Sequence, residues 1–513
     1  MSLLGKPPRH SRSPPAVARG LLGKRVRRTI IIALCALAGF SLLRRSMRPG
    51  TSWEKPFIAL WPDVNEPYRI VTTSDFRPVS MSPHNKDMQQ LCQSFPNHIL
   101  QSIQPVLKTG YTDDPERMPG QFDGASACFK PGELLIFSDA PANMSGHEVI
   151  DILALLPDTY HSFPEFQPYL EQRRMLENGS AEKHPEMLQK INGWKLDRFK
   201  FVPAVEQAWL MKPDRDFYVF YESDTLVSLR QDLTAANLTV SSYVFWDNLF
   251  RFLKTLDPEV PLYMGSSTPG RRDKVHYGTT FANGGPGYVL SRAAVKHLLH
   301  RETDRAGRFI GPSFTEKWRY LVNDDEPCGD NILGYILWLS GIEMQALYPM
   351  FTQHVFHTLP FDSMRWCSPI FTFHKPSPDQ MRGLARWEYG ARNNSHPARY
   401  ADVWDFYKAG SEPRRDNWRN NDVLGRKASA SGIKSAEDCE AHCRSLPECL
   451  QWTWRGSPTR ECFVGEGVFY YGEKCHYSTA GWLPDRITQW KVDHECEDTS
   501  WHGPSRTRVY VPG

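Results

Sequence analysis

Two carboxylates one residue apart stand at Glu222-Ser223-Asp224. They follow Phe217-Tyr218-Val219-Phe220-Tyr221, a run that is apolar and aromatic throughout and reads as a strand covered on both faces. At the exit of such a strand both side chains can turn toward one divalent cation and the diphosphate it neutralises. The same spacing recurs at Asp214-Arg215-Asp216, Asp324-Asp325-Glu326, Asp438-Cys439-Glu440 and Asp493-His494-Glu495, which read as solvated surface. Lys108 and Asp139 also end strands, and Lys200 closes Trp194-Lys195-Leu196-Asp197-Arg198-Phe199. Each of the three is placed to contact a nucleotide or its phosphates, and a surface charge is the competing reading. His354 and His357 have metal-ligand spacing, against the commoner satisfied loop histidine. Trp246, Trp318 and Trp366 offer faces for sugar rings, against ordinary core packing.

The elements that position these groups alternate. Ile103 to Leu107 and Glu133 to Phe137 read as buried strands ending in small or polar residues, and Phe217 to Tyr221 is a third. Amphipathic stretches, His147 to Leu156 and Asp247 to Leu256, lie between and after them. Strands alternating with helices argue for an α/β fold on a mainly parallel sheet, which binds ligands at the carboxyl ends of its strands.

The N-terminus sets the compartment. Thr29 to Leu43 is an unbroken apolar run, about 22 Å of helix. Eleven of the 61 Lys and Arg lie in the first fifty residues, which hold no Asp or Glu, so the rest of the chain is net −8. That split reports topology and excludes a general nucleic-acid binder, whose basic surface would have to lie in the folded body. The expectation is a single-pass type II anchor with the body in the lumen, its short span suited to endoplasmic reticulum or Golgi membranes. A cleaved signal peptide and a mitochondrial transit peptide are the alternatives. Against the first, Arg44-Arg45 follows at once; against the second stand four N-glycosylation acceptors, Asn143, Asn178, Asn237 and Asn393.

Further along, Phe281-Ala282-Asn283-Gly284-Gly285-Pro286-Gly287-Tyr288-Val289-Leu290-Ser291, Gly329-Asp330-Asn331-Ile332-Leu333-Gly334 and Phe371-Thr372-Phe373-His374 follow the Glu222-Ser223-Asp224-Thr225 strand in order. Together, from Leu91 to Tyr407, they resemble the glycosyltransferase family that includes Fringe, the core 1 β-1,3-galactosyltransferase and the β-1,3-N-acetylglucosaminyltransferases. The resemblance implies a GT-A Rossmann-like fold, a UDP-sugar donor, Mn²⁺ and inversion at the anomeric carbon, with a glycan or glycoprotein hydroxyl as acceptor. It implies Asp224, Glu222 and His374 as metal ligands, Gly284 and Gly285 beside the donor, and Asp330 as the base. This chain departs twice: Glu222 stands where the family has Asp, and Gly329 where it has an acid before the base. The second departure leaves Asp324, Asp325 and Glu326 as competitors of Asp330.

Beyond about Gly410 the chain becomes dense in Cys and Trp. Cys439, Cys443, Cys449, Cys462, Cys475 and Cys496 read as a small disulfide module, with a zinc site as the alternative. With Trp452 and Trp454 the spacing resembles a PAN or apple domain, which implies binding of protein or carbohydrate; a structural cap competes. Cys35 falls in the apolar run, so the others divide into that set of six and a set of four, Cys92, Cys128, Cys328 and Cys367, each even. The expected boundaries are a basic tail (1–28), anchor (29–43), stem (44–88), catalytic domain (89–410), linker (411–434), module (435–496) and tail (497–513). The competing class is a non-catalytic lumenal carbohydrate-binding protein that keeps the fold.

Overall fold

The computed structural model describes residues 73–502 apart from 78–86, 112–116, 189–190, 192, 224–241, 273–277, 324–327, 408–411, 421–424 and 430–431. The expected anchor lies outside the described residues, and among them no helix is long and apolar enough to cross a membrane.

The first five strands in the chain are β1 (Ile103–Lys108), β2 (Leu135–Ser138), β3 (Ala142–Met144), β4 (His147–Asp151) and β5 (Phe217–Glu222). Next come β6 (Ser242–Val244), β7 (Tyr263–Gly265), β8 (Ser267–Arg272), β9 (Gly278–Ala282), β10 (Tyr288–Ser291) and β11 (Met344–Ala346). Finally β12 (Phe351–Val355), β13 (Phe361–Asp362) and β14 (Thr372–His374) complete the body. Eight of these form one sheet in the order β11-β7-β10-β5-β1-β2-β4-β3, so the chain is mixed α/β about a parallel-rich sheet. Pairings β5-β1, β1-β2, β2-β4 and β7-β11 are parallel, and β10 and β3 run against their neighbours.

The three strands expected from continuous apolar runs are the adjacent β5, β1 and β2, and their carboxyl ends share one edge through the pairs Lys108 with Glu222 and Lys108 with Phe137. The helices Phe201–Met211, Arg292–Leu299, Phe314–Val322 and Gly329–Leu339 bury their apolar faces in one core with β5, β7 and β10. The stretch His147 to Leu156, expected as an amphipathic element, is not a helix. Its first half is β4, whose Val149 and Ile150 pair in parallel with Ile136 and Phe137, and its second half is a short 3₁₀ turn. Of Asp247 to Leu256, the part Asp247 to Leu253 is helical as expected, in the helix Trp246–Leu253, which is buried along its length, and Lys254 to Leu256 lie past its end.

Two boundaries move. The expected stem overlaps the body, because Phe76 is buried, stacked on Tyr389 at 5.8 Å and edge-on to Phe95 at 5.4 Å. Ser74 Oγ donates to Asp247 Oδ1 at 2.6 Å, and Asn394 Nδ2 donates to the Phe76 carbonyl. Phe76→Ala should therefore cost about 3–5 kcal/mol, read as a lowered melting temperature of a soluble chain beginning before Thr73. The stretch 411–434, expected as a linker, contributes β15 (Arg414–Arg419) and β16 (Arg426–Lys427) to the module. With β17 (Cys449–Arg455), β18 (Glu461–Glu466), β19 (Val468–Phe469) and β20 (Glu473–Trp482) the module builds a five-stranded sheet ordered β15-β20-β17-β18-β16, while β19 pairs with β13 of the body.

The cysteines do not divide as their positions in the chain suggest. Cys92–Cys128, Cys439–Cys462 and Cys443–Cys449 stay within their sets, but Cys367–Cys496 joins the body to the module. Phe469 beside it meets Trp404 at 4.6 Å, Trp490 at 5.1 Å and Phe361 at 5.8 Å, so the module is packed on the body by aromatic burial as well as by a covalent link. Replacing Cys367 and Cys496 by Ser should cost about 2–5 kcal/mol, measured by denaturant unfolding. Of the glycosylation acceptors, Asn143, Asn178 and Asn393 are exposed, and Asn237 lies outside the described residues.

Candidate active site

The carboxyl edge of β5-β1-β2 carries a row of buried charge. Lys108, ending β1, ion-pairs with Glu222 at 3.2 Å and with Asp197, and its ammonium sits 4.3 Å over the Phe201 ring. Lys200 caps the start of the helix Phe201–Met211; its Nζ donates to the Thr109 carbonyl at 2.9 Å and lies 3.7 Å from Asp139. Asp139 Oδ1 accepts the Tyr111 N–H at 2.7 Å, and its Oδ2 is buried with no hydrogen-bond partner among the described residues. Lys108, Asp139 and Lys200 are thus buried members of one edge, which removes the surface-charge reading. Asp197 and Phe201, which fix Lys108, gave no signal in the sequence, because the contact with Asp197 spans 89 residues.

The opposite side is built by β6, β14 and the turn before β10. His374 pairs in register with Ser242, whose hydroxyl donates to the Gly285 carbonyl and accepts the Glu222 N–H at 3.4 Å. In the turn, Gly285 N–H donates to Asn283 Oδ1 at 3.0 Å and Gly287 N–H to the Gly284 carbonyl at 2.8 Å. Gly287 has φ +86, and a Cβ on it would lie 2.7 Å from the Phe220 carbonyl. A Cβ on Gly284 would collide with Glu222 Oε1, and one on Gly285 with His374 Nε2. Ser242 and Gln353, which hold this side together, were not legible in the sequence.

His374 Nδ1 is 3.2 Å from the Gln353 carbonyl, so the proton sits on Nδ1 and Nε2 carries the lone pair, with Gly285 packed against the ring beside it. Burial first, then the adjacent Lys375 ammonium, pushes its pKa down to about 4, so the ring is neutral at physiological pH. A neutral imidazole fixed through its other nitrogen to a carbonyl has the chemistry of a divalent-cation ligand. Asp224, the other expected ligand, lies outside the described residues; among these no group of three or more ligating side chains converges. His357 is 3.4 Å from Glu473, and His354 joins no such group. Trp246, Trp318 and Trp366 are buried, as the packing reading requires.

Asp330 stands in the first turn of the helix Gly329–Leu339. Its Oδ2 accepts the Gly284 N–H at 2.9 Å and its Oδ1 accepts the Asn331 N–H at 2.8 Å, so one glycine turn touches both Asp330 and the Glu222 side. Burial raises its pKa above the ordinary carboxylate value, opposed by these N–H donors and then by the Lys108 charge. Gly329 also has a reason: a Cβ there would collide with the Phe201 ring, and one on Gly334 with Phe281. An acid at position 329 would drive the helix off the one that bears Phe201. Asp324, Asp325 and Glu326 lie outside the described residues. No family model matches the chain, and no curated protein matches it.

Proposed function

We propose that the chain is an inverting glycosyltransferase of GT-A type that moves a hexose, Gal, GlcNAc or Glc, from a UDP-sugar to a glycan or glycoprotein hydroxyl, forming a β-1,3 bond. The observation that carries this reading is the single glycine turn whose N–H groups and bare Cα atoms face Asp330, Glu222 and His374 together. In this reading His374 and Asp224 would hold Mn²⁺, which when bound would neutralise the charge that develops on the departing diphosphate.

The residues of the chain do the rest. Lys200 holds Asp139 in place at the edge where the nucleoside would bind. Gly284 fixes Asp330 by its N–H. The Asp330 carboxylate takes the acceptor hydroxyl proton while that oxygen bonds to the anomeric carbon, and the bond from this carbon to the diphosphate oxygen breaks on the opposite face, releasing UDP. The raised pKa makes Asp330 a stronger base than a solvated carboxylate. We assign the protein to the Golgi or endoplasmic reticulum membrane as a single-pass type II protein, with the C-terminal PAN-like module as a cap on the catalytic body.

A second reading draws on the ion pair of Glu222 with Lys108, which engages a carboxylate that the metal would otherwise share. It makes the chain a carbohydrate-binding protein that retains the fold without transfer. Calorimetry with UDP, with and without Mn²⁺, tests the site: Mn²⁺-dependent binding is expected, and binding indifferent to the metal would remove the metal assignment.

A further inference from the structure

We propose that the N-linked glycan carried by Asn393 packs into the cavity beside it and pins the segment 73–77 to the body, an inference that rests on the lumenal reading above. Asn393, Asn394 and Ser395 form the acceptor triplet. The turn that bears them is fixed at its base, where Arg392 pairs with the buried Asp247 and its Nη1 donates to the His396 carbonyl at 2.7 Å. Asn393 itself is exposed, and its Oδ1 accepts the Ser395 N–H at 3.0 Å, which leaves Nδ2 for the sugar. In glycosylation Nδ2 loses one proton and bonds to the anomeric carbon of N-acetylglucosamine, whose bond to the diphosphate of a lipid-linked oligosaccharide breaks.

Asn393 lines a cavity of about 210 Å³ together with Phe76, Arg77, Ser94 and Tyr389, far more space than one water needs. The cavity lies where residues 73–77 meet the body, so a sugar in it touches both. Phe76 and Tyr389, stacked at 5.8 Å, give it an apolar floor for one face of a sugar ring. Asn394, the middle residue of the triplet, already holds the segment through the Phe76 carbonyl. Arg77 is exposed, its N–H donates to the Ser94 carbonyl at 2.9 Å, and it also lines a second cavity of about 720 Å³. Gln89, Gln93, Asn97 and His98 line that second cavity, a set of amide and imidazole groups that suits neutral sugar hydroxyls. A glycan that starts at Asn393 therefore places its first ring in the small cavity and later rings in the large one. Asn143 and Asn178, also exposed, line neither.

The test uses the full chain, produced in a eukaryotic host and held in mild detergent, with occupancy of each acceptor read by glycopeptide mass spectrometry. A glycan-releasing amidase acting on the folded native chain should free the Asn393 glycan at least about tenfold more slowly than those on Asn143 and Asn178, a difference that denaturation abolishes. Trypsin should cut after Arg77 at least about tenfold faster in Ser395→Ala, which loses the glycan but keeps Asn393, than in the native chain. Asn143→Gln and Asn178→Gln should leave that cleavage rate unchanged. An Asn393 glycan released as fast as the others overturns the proposal. So does a cleavage rate that Ser395→Ala leaves unchanged, which would mean that the polypeptide itself covers the cavity. If Asn143 or Asn178 is glycosylated and Asn393 is not, the pin falls and the lumenal reading stands. If none of the three is glycosylated, both fall.

Discussion

Asp330→Asn should lower transfer by about 10³-fold, a loss of about 4 kcal/mol of transition-state stabilisation, with UDP affinity nearly unchanged. The substitution keeps an oxygen for the Gly284 N–H but cannot take the acceptor proton. The pH profile separates this from a folding defect. Burial raises the Asp330 pKa, and the working form is the carboxylate, so kcat/KM of the native chain should fall as pH falls through that raised value. The fall should therefore begin above the ordinary carboxylate range. In the Asn variant the residual rate should lose this acid limb. An unchanged rate would pass the role to the cluster Asp324, Asp325 and Glu326.

Gly285→Ala should have the second large effect. The added methyl collides with His374 Nε2, and His374 cannot yield easily, being buried in β14 against Ser242 and Gln353. Overpacking of this kind costs about 1–3 kcal/mol in stability, so the chain should still fold. Mn²⁺-stimulated transfer, however, should drop by at least about 10²-fold, because the methyl displaces the His374 ring that the proposed mechanism needs. Thermal melting and a Mn²⁺ titration on the same sample separate the two effects. Gly284→Ala, which collides with Glu222 Oε1, should weaken donor binding through the Glu222–Lys108 pair.

The central strands were legible because β1, β2 and β5 are short apolar runs that end abruptly in polar residues, a pattern that sequence carries directly. The strand β4 was not, because its alternation continues into Leu153 to Leu155 and reads as well with helical spacing. Strands as short as β7 and β11, three residues each, carry no periodicity and exist through their pairing. At the site, Asp330, His374 and the glycines were named through a resemblance of motifs, whereas what holds them was invisible. Phe201 bars an acid from position 329, Asp197 pairs with Lys108 and Ser242 holds Gly285. Each of these is a contact between distant segments. Cysteine parity misled for the same reason: Cys367 and Cys496 are 129 residues apart and were placed in different sets.

The most direct test of the account is release of UDP from a panel of UDP-Gal, UDP-GlcNAc and UDP-Glc by the soluble chain, with and without Mn²⁺, measured beside Asp330→Asn. The account predicts that one donor is turned over in a Mn²⁺-dependent way, faster with a glycan acceptor, and that the variant binds this donor without turning it over. A chain that binds a UDP-sugar with Mn²⁺ yet releases no UDP with any donor or acceptor, alike in native and variant forms, would contradict it in favour of the carbohydrate-binding reading.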